Sequence, residues 1–78
     1  MRFVFTGPAV VDGIHYERHH LIALASEKGH QIQKKVDHHT NFLVIGVPNK
    51  ETVKIRQAVN IGTKLISPKQ FLQKMGYL

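Results

Sequence analysis

Two short, uninterrupted apolar runs constrain the fold of this chain most strongly. Phe3-Val4-Phe5 and Phe42-Leu43-Val44-Ile45 show no alternation between apolar and polar residues, so each predicts a strand that is covered on both faces. A strand with two covered faces needs a layer of helices on each side of its sheet. We therefore expect a three-layer α/β domain.

The rest of the chain alternates between helical and strand-like patterns around these two runs. The further predicted elements, in chain order, are a helix over about 16–28 ended by Gly29, a strand at 31–33, a helix from Pro48-Asn49 to Gly62, a strand at 64–66 and a last helix begun by Ser67-Pro68-Lys69-Gln70. Residues 8–16 are expected to form a loop. The order β-α-β-β-α-β-α predicts a four-stranded parallel sheet within one domain that spans residues 1–78.

Polar side chains at the helix ends support these boundaries. Ser67 is a candidate N-cap, with Pro68 at the first helical position and Gln70 completing a capping box. In the second helix, Asn49 is a candidate N-cap and Glu51 lies in the first turn, where a negative charge is favourable. The apolar side of that helix is expected to consist of Ile55, Ala58 and Val59.

The charge of the chain points to polyanionic partners. Its 78 residues include 11 Lys and Arg against 5 Asp and Glu, a formal net charge of +6 at pH 7. Such an excess favours nucleic acid, an anionic membrane surface or phosphorylated protein. No stretch approaches the ~18 apolar residues of a membrane span, and the N-terminus lacks a signal-peptide pattern. Without cysteine there can be no disulfide and no thiolate zinc site, as expected of a small intracellular domain.

The candidate binding site lies at the end of the first predicted strand, which stops at Thr6-Gly7. Right-handed crossovers place strands one and three side by side, with strand two outside strand one and strand four outside strand three. Ligands of parallel sheets bind beyond the carboxyl ends of such neighbouring strands. There the Thr6 hydroxyl and the Gly7 backbone would meet Arg18 of the first helix and Lys54 of the second. This set predicts a pocket for one phosphate group.

Each of these features also has a purely structural interpretation. A Thr-Gly pair at a strand end is typical of a turn in which Gly takes a positive φ, and lysines on helices are commonly solvated. The phosphate prediction therefore depends on the convergence of the four residues at one point of the fold. Further candidates for contacts with neighbouring phosphates are Lys34, Lys35, Lys50 and Arg56.

In their order and spacing these residues resemble a BRCT domain, particularly those of bacterial NAD-dependent DNA ligases and of the replication factor C large subunit. The matching segments cover nearly the whole chain: FVFTG at 3–7, Arg18 with LIALASEKGH to His30, HTNFLVIG at 39–46, Lys54 with Ala58, and IGTKLISPKQF at 61–71. The resemblance implies a parallel sheet in strand order 2-1-3-4, with helices one and three on one face and helix two on the other. Phe71 stands where the family usually has tryptophan, and the loop over 8–16 is a few residues longer.

The resemblance also implies roles for individual residues. In phosphate-binding members, the hydroxyl residue and glycine that end strand one, and a lysine of helix two, hold the phosphate; these match Thr6, Gly7 and Lys54. In the DNA-binding relatives an arginine that opens helix one contributes, and it matches Arg18. The resemblance thus implies a non-catalytic module of DNA replication or repair that recognises DNA ends through a 5′-phosphate.

The histidines and acidic residues predict neither a metal site nor catalysis. The pairs His19-His20 and His38-His39 lack the spacing of metal ligands on a helix. Protonation of His15 and His19, close to the pocket, is expected to strengthen anion binding as the pH falls. The carboxylates form no obvious pair and the glycines form no nucleotide-binding loop, so we expect no enzymatic activity and no cofactor.

Two other functions remain as alternatives for this chain. A phosphopeptide-binding module would use the same pocket, but it usually needs a second domain, so this chain would have to dimerise. A protein–protein docking module of a repair or ligase complex would leave the pocket unused. We expect a monomer or weak homodimer, in the cytoplasm or nucleoid of a bacterium or phage or in a eukaryotic nucleus. Met1 directly before strand one favours an independent protein over an accessory domain of a larger enzyme.

Overall fold

The computed structural model describes residues 1–47 and 52–78. The elements are β1 (Arg2–Thr6), β2 (Ala9–Val11), β3 (Ile14–Tyr16), α1 (Arg18–Glu27), β4 (Gln31–Gln33), β5 (Phe42–Ile45), α2 (Val53–Ile61), β6 (Lys64–Ile66) and α3 (Pro68–Lys74). The helix start predicted at Pro48-Asn49, with Glu51 in its first turn, lies outside the described residues. None of the helices in the described part of the chain is long and apolar enough to cross a membrane.

Four strands form one parallel sheet, in the order β4-β1-β5-β6. In the register of the sheet, Phe3 of β1 lies opposite Ile32 of β4 on one side and Phe42 of β5 on the other. The two uninterrupted apolar runs are therefore the two central strands, as their composition predicts. The α/β class, with a four-stranded parallel sheet and three helices, agrees with the sequence analysis.

The sheet has a separate hydrophobic core on each face, because successive residues of a strand point to opposite sides. The buried core residues on the first face are Phe3, Phe5, Ala9, Val11, Leu21, Ala25, Phe42, Val44, Phe71, Leu72 and Met75. They join β1 and β5 to both α1 and α3. On the second face, Val4 and Leu43 pack with Ala58 of α2. The domain thus has three layers, and the second core is much the smaller.

The narrow core under α2 explains why one residue expected on its apolar side is exposed. Ala58 is buried and Ile55 packs at the edge of this core, but Val59 is 62% exposed. A single helix over a small sheet buries only a narrow strip of its surface, and Val59 lies beside that strip. The prediction for Val59 was therefore wrong.

Residues 8–16, expected to form a loop, instead form a β-hairpin. β2 and β3 pair antiparallel, with Val11 opposite Ile14. The two residues between them, Asp12 and Gly13, have φ values of 52° and 79°, the left-handed conformation that a two-residue hairpin turn needs. Ala9 and Val11 are buried while Val10 between them is exposed, so one face of the hairpin closes the first core.

The last helix begins as its sequence predicts. The backbone N–H of Gln70 donates to the Ser67 hydroxyl at 3.1 Å, and the Ser67 N–H donates to the Gln70 side-chain oxygen at 2.8 Å. This reciprocal capping box satisfies two backbone donors at the helix start. It orients α3 so that Phe71 and Leu72 enter the first core.

Candidate phosphate-binding site

An open pocket of about 380 Å³ lies at the carboxyl end of β1, where α1 begins and α2 crosses the opposite face. The residues that line it are Phe5, Thr6, Gly7, Arg18, Ile22, Ile32, Gln33, Lys34 and Lys54. The four residues singled out in the sequence for one phosphate, Thr6, Gly7, Arg18 and Lys54, are all among them. Their convergence follows from the tertiary fold, since they come from three separate elements.

Thr6 and Gly7 line the pocket where β1 ends. Thr6 is the last residue of β1 and is only 2% exposed, and its carbonyl accepts a hydrogen bond from the Gly46 N–H at 2.8 Å. Gly7 has a φ of 78°, a conformation that is costly for a residue with a side chain. The chain therefore turns sharply out of the sheet at Gly7 and leaves the strand end facing the pocket.

Arg18 is the first residue of α1 and is held over the end of β1. Its guanidinium carbon lies 4.7 Å from the centre of the Phe5 ring, and its Nη2 donates to the Gly7 carbonyl at 3.3 Å. Partial burial lowers the pKa of the Arg18 guanidinium from its usual value, but an arginine remains protonated in proteins. These contacts present a fixed positive charge, with several further donors, at the edge of the pocket.

Lys54 reaches the same point from the other layer of the domain. It is the second residue of α2, and its Nζ donates to the Phe5 carbonyl at 3.2 Å. Arg18 and Lys54 therefore each donate to a backbone carbonyl at the end of β1, on either side of Thr6, from opposite faces of the sheet. An anion placed between them would contact two cationic groups that the fold already holds in position.

The described charged residues that line the pocket are all positive. The charged residues in its lining are Arg18, Lys34 and Lys54, and no carboxylate of the described residues lines it. Two described carboxylates have basic partners outside the pocket: Asp12 lies 3.8 Å from the Lys69 ammonium, and Glu17 lies 3.6 Å from the His15 ring. A concave surface with only positive charges concentrates the field of those charges and attracts anions.

A second groove of about 390 Å³ lies beside the pocket, between α2 and the chain that leaves β4. Its lining consists of Lys34, Lys35, Val36, Val53, Lys54 and Gln57. The structure therefore brings Lys34 and Lys35 next to the four predicted residues. Arg56 lines neither the pocket nor this groove, because a residue two positions after Lys54 is rotated by about 200° around the helix. Lys50 lies outside the described residues.

The pocket also has an apolar side that the sequence analysis did not assign to it. Ile22 and Ile32 line the pocket, and Ile22 is 43% exposed although its place in the apolar pattern of α1 suggests a core residue. Because residues four apart share a helix face, the position of Ile22 four residues after Arg18 indicates that it lies on the same side of α1 as Arg18. The pocket thus offers apolar surface beside its cationic groups.

The histidines lie outside the pocket. His15 faces Glu17, and the rings of His19 and His20 lie 4.6 Å apart; none of the three lines the pocket. Within residues 1–47 and 52–78, no three His, Asp or Glu side chains come together as ligands for a metal ion. A direct contact of His15 or His19 with an anion in the pocket therefore has no support from this geometry.

Neither a comparison with models of protein families nor a search of curated proteins found a match to this chain.

Proposed function

We propose that this chain is a BRCT-type, non-catalytic module of DNA replication or repair that binds DNA ends through a 5′-phosphate. The observation that carries the proposal is the convergence of Thr6, Gly7, Arg18 and Lys54 on one pocket that no described carboxylate lines. The resemblance of the sequence to BRCT domains assigns a phosphate to the same four positions.

A terminal phosphate suits this pocket better than an internal one. A phosphate monoester carries a charge of about −1.5 to −2 at neutral pH, with three acceptor oxygens. A phosphodiester inside a strand carries a single negative charge. Two cations fixed at the end of β1, Arg18 and Lys54, match the greater charge and the larger number of acceptors. The pocket therefore favours the end of a strand.

The surroundings of the pocket favour DNA over a phosphorylated protein. The chain has a formal net charge of +6, and Lys34 and Lys35 extend the positive surface into the second groove. A phosphopeptide presents one phosphate on an otherwise mostly neutral backbone, whereas DNA presents a phosphate at every nucleotide. The alternative, phosphopeptide binding by the same pocket, is tested by the same experiments.

We assign binding rather than catalysis to this site. The pocket contains arginine, lysine and threonine but no described carboxylate or histidine, so its described part lacks the side chains most often used as general acids and bases. In this proposal, any chemistry on the DNA end belongs to a partner protein.

The direct test is a backbone-amide NMR titration of the protein with a short DNA duplex, with and without its 5′-phosphate. We expect phosphate-dependent shifts at Thr6, Gly7, Arg18 and Lys54. A phosphoserine peptide forms the third arm. Diffuse shifts that are the same with and without the phosphate, or tighter binding of the peptide, would contradict the proposal.

Two pairs of variants separate an effect on phosphate binding from an effect on folding. Lys54→Gln keeps a donor for the Phe5 carbonyl but removes the charge, and we expect about a tenfold loss of affinity for the phosphorylated duplex. Arg56→Gln, which removes a charge from α2 outside the pocket and the second groove, is its matched control.

The second pair tests the Thr6 hydroxyl: Thr6→Val removes it and Thr6→Ser retains it. Equal losses within either pair, in proteins with unchanged melting temperatures, would show that the pocket is not the site.

A further inference from the structure

The pocket and the second groove form one continuous cationic surface. Lys34 and Lys54 line both of them, so the two depressions share a wall that carries two positive charges. From this wall the groove runs between α2 and the segment after β4, past Lys35 and Gln57. No carboxylate of the described residues lines the groove either. These charges favour a ligand that places one negative group in each depression, close together.

We propose that the second groove binds the phosphate of the first internucleotide linkage of the strand whose 5′-phosphate occupies the pocket. This inference depends on the proposed function, since it takes the pocket as the site of the terminal phosphate. The ammonium group of Lys35 and the amide of Gln57 supply donors that the pocket itself does not use. Lys34, on the shared wall, contacts both phosphates.

The adjacency of the two depressions favours successive phosphates of one strand. Within a strand, one nucleotide separates neighbouring phosphates, and the shared Lys34 and Lys54 require their ligands to be neighbours. Phosphates of the complementary strand lie across a groove of B-DNA that is about 12 Å wide on the major side. Such phosphates fit a broad basic face rather than two depressions with a common wall. The domain therefore holds the 5′-terminal strand by its first two phosphates.

The test compares 5′-phosphorylated duplexes in which one internucleotide phosphate is replaced by a neutral methylphosphonate. Replacement at the first linkage of the phosphorylated strand should weaken binding about fivefold, as expected for the loss of one exposed ion pair. Replacement at the first linkage of the complementary strand at that end should have less than half of this effect. The slope of log K against log salt should also become shallower by about 0.9 for the first substitution.

The Lys35→Ala variant connects the effect to the groove. Lys35 is exposed, so its truncation should leave the fold intact, which the melting temperature checks. In this variant, the loss caused by the methylphosphonate at the first linkage should shrink towards twofold or less. Lys28→Ala, which truncates an exposed lysine after the last residue of α1, is the matched control and should keep the full loss.

The outcomes separate this inference from the proposed function. If the 5′-phosphate strengthens binding but the two methylphosphonate positions weaken it equally, the groove does not hold the second phosphate of that strand. An equal methylphosphonate effect in Lys35→Ala and Lys28→Ala would overturn the inference in the same way. If the 5′-phosphate itself has no effect on the affinity of the unmodified duplex, both the inference and the proposed function are wrong.

Discussion

Gly46 lies where two segments of the chain approach each other closely beside the site. A Cβ atom at residue 46 would lie 1.8 Å from the carbonyl oxygen of Pro8 and 2.7 Å from its carbonyl carbon. The backbone that leaves β1 through Gly7 can therefore pass over the end of β5 only because residue 46 has no side chain. The need for glycine at this point comes from tertiary contact and is not visible in the local sequence.

Gly46→Ala should consequently lower the free energy of unfolding by about 3 kcal/mol, because a rigid backbone group must move to admit the methyl group. Urea denaturation measures the change. Gly29→Ala is the comparison. Residue 29 has open space around it but a φ of 76°, so only the left-handed backbone conformation opposes an alanine there, and the substitution should cost about 1 kcal/mol of stability. Equal effects of the two substitutions would show that Pro8 does not approach residue 46 as described.

His30 is a second residue whose properties depend on distant parts of the chain. Its Nδ1 accepts a hydrogen bond from the α-amino group of Met1 at 2.9 Å, and its ring meets the Phe3 ring edge-on at 5.7 Å. Partial burial, followed by the positive charge of the amino group, lowers the pKa of His30 from its usual 6.5. The neutral ring is thus the form that the folded protein favours.

This shift predicts a loss of stability on acidification. Because the unfolded chain binds a proton at His30 more readily, the contribution of His30 is complete above pH 6.5 and decreases as the pH falls below that value towards the folded-state pKa. An NMR titration of the ring protons should give a pKa below 6.5. His30→Asn should lose less stability than the parent between pH 7.5 and 5. A measured pKa at or above 6.5 would contradict the described contact.

At the scale of elements, one aromatic side chain of α3 packs directly on two aromatic rings of the central strand β1. Phe71 is fully buried and meets the rings of Phe3 and Phe5 edge-on, at centroid distances of 5.0 and 4.9 Å. The capping box fixes where α3 begins, and Phe71 lies at its N4 position, one residue after Gln70. The start signal in the sequence therefore also determines which residue enters the core.

Truncation of this side chain should remove much of the stability of the domain. We expect Phe71→Ala to cost about 3–5 kcal/mol, the range for deletion of a buried aromatic ring, out of a total of about 5–15 kcal/mol for a domain. Phe71→Leu, which keeps most of the apolar volume, should cost clearly less. Thermal and urea denaturation distinguish these values. An unchanged melt for Phe71→Ala would mean that α3 does not pack against β1.

The hairpin is the element that the sequence analysis missed, although its signal was present. Asp12-Gly13 separates the runs Ala9-Val10-Val11 and Ile14-His15-Tyr16, and an Asp-Gly pair between short apolar runs is a strong hairpin pattern. Each run has only three residues, so its alternation is short. The resemblance to a family with a shorter segment here also favoured the interpretation as a loop.

At the scale of the whole molecule, four of the 11 Lys and Arg residues line one continuous site. Arg18, Lys34, Lys35 and Lys54 line the pocket and groove, while the described carboxylates line neither. In the proposed function, DNA that binds at this surface would release counterions from the phosphates that the surface neutralises. The affinity should therefore depend on salt in proportion to the number of phosphates bound.

For the two phosphates proposed here, the slope of log K against log salt should be about −1.8 or steeper, and the affinity should fall at least about tenfold between 50 and 200 mM salt. Fluorescence anisotropy with a labelled 5′-phosphorylated duplex measures this dependence. The 5′-hydroxyl duplex is the control and should give a shallower slope. A loss of less than twofold over this range would mean that phosphate contacts contribute little to binding.

Local sequence was sufficient wherever a structural feature depends on neighbouring residues. Three features follow from interactions over a few positions or from burial on both faces. They are the Ser67-Pro68-Lys69-Gln70 start signal, the left-handed glycines after α1 and α2, and the two uninterrupted apolar strands. The convergence of Thr6, Gly7, Arg18 and Lys54 could be predicted only through the expected arrangement of strands, since no local pattern joins residues 6 and 54.

The sequence by itself determined the α/β class, the two central strands and the four residues expected to meet at the candidate pocket. Only the tertiary structure decided that Pro8 closes over Gly46, that Ile22 faces the pocket instead of the core, and that Lys34 and Lys54 form a wall shared by two depressions. The physical reason is the range of the interactions. Helix caps and apolar periodicity act along the chain, whereas a pocket is produced by side chains that the packing of three layers brings together.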